Sequence, residues 1–168
     1  LLSDDGTEWT DDQTHEVVLR SASRSHGLIL AAGGLEWGSI LASLDGQSWM
    51  DLGDIGGPLL GVASSGTLAA AVGLSGRVVT SVDLLSWTEV IDETTKAPIV
   101  EEDIHAIAYG GQGFLGVGEE GVRLWSSDGI IWESEPGTIH LYDVAWGQDF
   151  FVAVGEGGAR KQADDSGN

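Results

Sequence analysis

An all-β fold of four repeated antiparallel sheets is what this sequence predicts, and three observations carry that prediction. A heptad of the form S-x-D-G-x-x-W occurs three times along 168 residues, and a fourth copy carries Leu in place of Gly. Its tryptophans, Trp9, Trp49, Trp87 and Trp132, lie 40, 38 and 45 positions apart, about one four-stranded propeller blade each. No stretch keeps a helical apolar period for ten residues, whereas runs of about five apolar and β-branched residues alternate with Gly, Asp and Ser.

The copies read Ser3-Asp4-Asp5-Gly6-Thr7-Glu8-Trp9, Ser43-Leu44-Asp45-Gly46-Gln47-Ser48-Trp49, Ser81-Val82-Asp83-Leu84-Leu85-Ser86-Trp87 and Ser126-Ser127-Asp128-Gly129-Ile130-Ile131-Trp132. Gly38, Gly76 and Gly121 each stand five residues before the box serine. Upstream, residues 105–121 and 142–158 match at Ala108 with Ala145, Gly110 with Gly147 and Gly118 with Gly155. Residues 58–76 and, more loosely, 17–34 follow the same plan. Each unit therefore reads as strand, turn, strand, G-x-x-G turn, strand, Asp-Gly turn, strand.

Within the heptad, Gly, or Leu84 in the third copy, sits where the chain reverses. Asp is placed to accept hydrogen bonds from turn amides, and the Ser hydroxyl to brace the same loop. Leu84 takes a positive φ less cheaply than Gly, which predicts a third turn of different type or under strain. Trp begins the outer strand and is expected to wedge between sheets. On that reading Trp49→Ala costs about 3 kcal/mol.

These boxes resemble the Asp-box, or bacterial neuraminidase repeat, propellers, whose motif S-x-D-x-G-x-x-W occupies the turn between the third and fourth strands of a blade. The motif here is one residue shorter, and the resemblance spans nearly the whole chain. It implies that the box residues are structural and lie away from any active site. It also implies a bacterial secreted or cell-surface setting.

The chain opens at Leu1 rather than Met, as a processed product or an excerpt would, and with only the second half of a unit. Joining Gly158-Ala159-Arg160 to Leu1-Leu2-Ser3 restores the five-residue spacing, so the N-terminal strands are expected to complete the last of four blades. The expected organisation is one propeller over residues 1–160, with units near 16–50, 58–88, 104–133 and 139–160 plus 1–10. Residues 161–168 then form an acidic tail. Ala163-Asp164-Asp165-Ser166-Gly167, read as a decayed box, supports the competing arrangement of a chain running on into a larger ring.

Sialidases, the enzymes that the resemblance brings in, need three arginines converging on a carboxylate, a Tyr-Glu nucleophile pair and an Asp acid/base. Arg77, Arg123 and Arg160 recur at nearly equal offsets in their units and so read as repeated structural residues, and the Y/F-R-I-P motif is missing. No catalytic residue is assigned. Arg20, aligned with Gly61, Ala106 and Asp143, pairs best with Asp143 as a channel ion pair. His105 and Tyr142 occupy the neighbouring inner-strand position and, with Arg20, Asp143 and an exposed Trp37 in the lengthened turn GGLEWGS, form the candidate binding set. The acidic link from Glu89 to Asp103 breaks the blade plan and is a further candidate for recognition.

Composition narrows the partners. With 27 acidic against 7 basic residues the net charge is -20, which repels phosphate backbones and anionic lipids over roughly 10 Å. Neither nucleic acid nor membrane insertion is expected, and no apolar run approaches the ~20 residues of a membrane helix. With no cysteine, no paired histidines and no alternating calcium-loop ligands, neither metal nor cofactor is expected. The reading is a non-enzymatic binding or interaction propeller for a glycan or a protein. The alternatives are a sialidase-like hydrolase and a structural subunit of an extracellular assembly.

Overall fold

The computed structural model describes residues 3, 5–10, 17–111 and 113–163. Among them there is no α-helix. Fifteen strands form four antiparallel sheets whose strands follow one another in chain order. The first sheet holds β1 (Leu19–Ser25), β2 (Leu28–Gly33), β3 (Ser39–Ser43) and β4 (Trp49–Asp54). The second holds β5 (Leu59–Ser64), β6 (Ala69–Gly73), β7 (Val78–Ser81) and β8 (Thr88–Glu89). The third holds β9 (Ile104–Gly110), β10 (Gly113–Gly118), β11 (Arg123–Ser126) and β12 (Glu133–Glu135). The fourth holds β13 (Leu141–Gly147), β14 (Phe150–Gly155) and β15 (Arg160–Ala163).

Local sequence explains the tight reversals. His26-Gly27 and Gln148-Asp149 both take positive φ, as two-residue hairpins require to match the strand twist. The glycine ending each second strand has another cause. A Cβ on Gly33, Gly73, Gly118 or Gly155 would lie 2.0, 2.1, 1.9 or 2.0 Å from the carbonyl oxygen of Val18, Pro58, Asp103 or His140. Only a residue without a side chain permits that approach.

The innermost strands carry a bulge at one repeated place. Pairing jumps from Leu19 to Ser21, Leu59 to Gly61, Ile104 to Ala106 and Leu141 to Asp143. Arg20, Leu60, His105 and Tyr142 are thus the equivalent bulged residues, and Ser21 is the equivalent of Gly61, Ala106 and Asp143. The alignment of Arg20 with Asp143 expected from sequence is one residue out of register.

Packing proceeds sheet by sheet. Leu30, Ala32, Ile40 and Ala42 of the first sheet meet Leu59, Val62, Ala69 and Ala71 of the second. Ala70, Val72 and Val78 meet Ile104, Ile107 and Phe114 of the third. Leu115 and Val117 meet Leu141, Val144, Phe151 and Ala153 of the fourth. β1 packs on β5, β5 on β9 and β9 on β13, while among the described residues no comparable contact joins β13 to β1. The four blades therefore follow one another around an axis with their first strands innermost.

At the end of the chain, β15 pairs with β14 and supplies the third strand of the last sheet from Arg160 to Ala163. The strand thus passes the expected domain limit at 160 and takes up the start of the expected tail. Leu1 and Leu2, to which sequence gave that strand position, lie outside the described residues.

The box tryptophans differ in burial. Trp132 is 6% exposed, with its ring centroid 6.0 Å from that of Phe114. Trp49 and Trp87 are half-buried, and Trp9 is 59% exposed. The expected wedge is complete only in the third blade, so the large cost of truncation moves from Trp49 to Trp132. In urea unfolding, Trp132→Ala should lose about 3–5 kcal/mol and Trp9→Ala less than about 1 kcal/mol. Equal losses at the two sites would contradict this packing.

Candidate functional site

The four boxes share one hydrogen-bond pattern. Ser43 Oγ donates to Asp45 Oδ1 at 3.1 Å and accepts from the Gly46 amide at 2.8 Å. Asp45 Oδ1 accepts from the amides of Gln47 and Ser48, each at 2.8 Å. Trp49 Nε1–H then donates to the Gly46 carbonyl at 3.0 Å. Asp83 and Asp128 repeat the double amide capture at 2.8 to 2.9 Å, and Asp5 does so at 2.8 and 3.1 Å. The third copy keeps the pattern: Leu84 takes φ 64° and gives its amide to Ser81 at 2.8 Å, where sequence suggested a different turn or strain. The non-glycine cost falls on a buried side chain that joins the core between the first two sheets.

These amides hold the carboxyls of Asp45, Asp83 and Asp128 below the ordinary aspartate value, and Asp5 further below it. In every box the Ser hydroxyl, one Asp oxygen and the Trp indole N–H are thus committed to the box's own turn.

The arginines do not converge. Arg77 Nη1 bonds Glu89 at 2.9 Å while its Nη2 donates to the Ile55 carbonyl at 2.6 Å. Arg123 bonds Glu135 at 2.6 Å. Each pair ties a third strand to its fourth-strand neighbour. Arg20 is exposed, and no ion pair joins it to Asp143, whose Oδ1 accepts only from the Val144 amide at 2.8 Å. His105 and Tyr142 do come together, with ring centroids 5.9 Å apart, and His105 Nδ1 lies 2.8 Å from the Leu141 carbonyl oxygen. Trp37 is 65% exposed, and among the described residues no ring packs on it. The five candidates therefore form one contiguous pair, His105 and Tyr142, and three separated residues. Among the described residues no cluster of His, Asp or Glu is arranged to hold a metal ion.

Sequence reasoning missed a groove beside the acidic link. The groove, of about 500 Å³, lies between the outer strands of the second blade and the box turn of the third. Its apolar wall includes Leu68, Val82, Val90, Ile91, Ile130 and Ile131, and its acidic side chains are Asp83, Glu89 and Glu93. Among the described residues no Lys, Arg or His lines it, although Arg77 pairs with Glu89 and Lys96 with Glu93 from outside the groove. Val82, Ile130 and Ile131 fill the variable box positions and are largely exposed there. The link from Glu89 to Asp103 supplies the other side. Its turn is fixed by Asp92, which accepts from the amides of Thr94 at 2.9 Å and Thr95 at 2.6 Å, while Asp103 anchors the far end by accepting from the Ser75 amide at 2.7 Å. The signal available in sequence was aliphatic residues at turn positions that usually carry polar ones.

No protein-family model matches the chain, and no curated protein matches it. Solved structures do match in fold. The chain resembles the computationally designed Ika4 protein with TM-score 0.65 and 14% identity, over 95% of this chain and 98% of that one. It resembles YCF48 bound to D1 peptide with TM-score 0.66 and 15% identity, over 88% of this chain and 50% of that one. It resembles the WD40 β-propeller domain of Doa1 with TM-score 0.65 and 8% identity, over 92% of this chain and 54% of that one. The chain thus spans about half the length of the last two. The class is a β-propeller of four blades. At these identities the likeness shows the propeller fold alone.

Because the folded-state pKa of Asp128 is lowered, its contribution to stability is complete above the unfolded value, about 3.9, and is lost as pH falls through the lower folded value. Asp128→Asn should therefore melt below the parent protein at neutral pH, with the gap narrowing from about pH 4 downward. A gap independent of pH would contradict the double amide capture. Ser126 is buried and serves the same turn, so Ser126→Ala should cost about 1–3 kcal/mol in urea unfolding at neutral pH.

Proposed function

We propose that this propeller is a non-enzymatic interaction module whose groove between the second and third blades takes a protein segment carrying an aliphatic or aromatic side chain flanked by Lys or Arg. The observation that carries this reading is the exposed aliphatic wall of Val82, Ile130 and Ile131 in a groove whose charged lining is acidic; Asp83 is held by its own turn, Glu89 by Arg77 and Glu93 by Lys96, so the overall negative charge, rather than these three groups, draws a cationic segment. An apolar side chain entering the groove removes its wall from water, and flanking cations meet a protein of net charge -20. A solved propeller-like neighbour holding a peptide, YCF48 with D1 peptide, makes the peptide class reasonable at the level of fold. The glycan reading is weaker, because Trp37 has no stacking or polar partner set around it. Sialidase chemistry is weaker still, since Arg77 and Arg123 are each occupied by a glutamate.

The test is fluorescence anisotropy with labelled peptides of the form Lys-Lys-Leu-x-Phe-Arg-Lys, beside a control in which Leu and Phe are Ser. The apolar peptide should bind saturably and the control at least tenfold more weakly. Ile131→Ser and Val82→Ser should each weaken binding several-fold without lowering the melting temperature, because both side chains are exposed in the free protein. Absence of saturable binding, binding equal to the control, or release of fluorophore from a sialoside would overturn the reading.

A further inference from the structure

We propose that a second concavity, on the other side of the second box, seats one guanidinium or ammonium side chain of a partner segment that lies across that box. The pocket has a volume of about 390 Å³ and opens between the fourth strand of the first blade and the third and fourth strands of the second. Glu89 lines both this pocket and the groove already described, and the second box stands between them. Val82 lines the groove and Leu85 the pocket, 68% and 75% exposed, while Leu84 between them is buried. The path of the segment rests on the reading of the groove; the seat rests on the pocket alone.

Comparison of the repeats explains why an indole is available there. The second-strand residue paired with the box serine is Ala69 in the second blade and Phe114 in the third. In the third blade the Phe114 ring stands 6.0 Å from that of Trp132, which is buried. In the second, the methyl group of Ala69 takes the place of that ring. Trp87 is half-buried, lines the pocket and has no ring neighbour among the described residues. Its N–H donates to the Leu84 carbonyl at 3.2 Å, so what it offers a ligand is π surface.

The charged lining suits a cation. Gly56 takes φ 91°, and a Cβ there would come 2.3 Å from Arg77 Nη2, so glycine is what lets the guanidinium reach the Ile55 carbonyl. The other end of the same group is paired with Glu89, which neutralises it. Asp54 remains. Its Oδ1 accepts from the Gly56 amide at 2.8 Å, and its Oδ2 has no partner among the described residues. A cation over Trp87 and within reach of Asp54 gains both an aromatic face and a charge-assisted hydrogen bond. A planar, weakly hydrated guanidinium suits that pair of contacts best. An anion meets two carboxylates and one arginine already paired, in a protein of net charge -20.

The test follows the Trp87 indole N–H by nitrogen-resolved NMR, the resonance being identified by its loss in Trp87→Phe. The protein is titrated with Nα-acetyl-arginine amide and, separately, with the uncharged citrulline amide and with methyl glucoside. The arginine amide should move the resonance saturably, and the other two should not. Asp54→Asn should weaken the arginine amide by about fivefold. Asn keeps the acceptor for the Gly56 amide and the position is exposed, so the change spares the fold. If the apolar peptide and its serine control bind equally while the arginine amide still moves Trp87, the groove reading falls and the seat is supported. A resonance that stays fixed, moves equally with citrulline amide, moves with the glucoside instead, or is indifferent to Asp54→Asn would overturn the proposal.

Discussion

One carboxylate holding two successive backbone amides is the interaction on which the rest of this molecule depends. In each box the aspartate satisfies donors that a tight reversal would otherwise leave unpaired, and the serine hydroxyl satisfies a third. The reversal fixes where the fourth strand begins and therefore where the tryptophan indole lies. The indole then returns a hydrogen bond to the carbonyl at the turn's centre. The same covalent pattern thus yields the same turn even where Leu84 replaces glycine, because three amide bonds to Ser and Asp outweigh the cost of one left-handed leucine.

From those turns the interblade contacts follow. Short strands in fixed register bring small residues, such as Ala69 to Ala71, and glycines to the places where neighbouring sheets approach most closely. Gly61 sits where a Cβ would come 3.1 Å from the Ile107 amide, and Trp146 lies across Gly110 with no room for a side chain beneath it. Three interblade cores result, each made of one sheet's outgoing face and the next sheet's incoming face. Function is then left to what the repeats do not consume: the variable positions of the boxes and the link before β9.

The fold was legible in sequence because repetition at a period near 40 residues is a global signal that no single local misreading can erase. Strand order within each sheet and the repeated placement of Arg77 and Arg123 at the third strands came with it, whereas their glutamate partners did not. The register of β1 was not legible: LRSASRS lacks the glycine and alanine markers of the other inner strands, and a bulge breaks the alternation that would have set it. The groove was missed for a different reason. Val82, Ile130 and Ile131 fall at positions where the motif constrains nothing, and only the three-dimensional placement of one box turn beside β7, β8 and the link gives them a shared surface. The third strand of the last sheet, Arg160–Ala163, was legible only in the competing arrangement, in which a decayed box begins at Ala163; the favoured arrangement gave that position to Arg160 with Leu1 and Leu2.

Carbon-detected NMR titration of the aspartate carboxyls tests the central claim most directly, since it reads each box by itself. The account predicts that Asp45, Asp83 and Asp128 each titrate below the ordinary value of about 3.9, under conditions where the sheets remain folded. Titration of all three at that ordinary value, alongside freely solvated acids such as those of a short reference peptide, would contradict it.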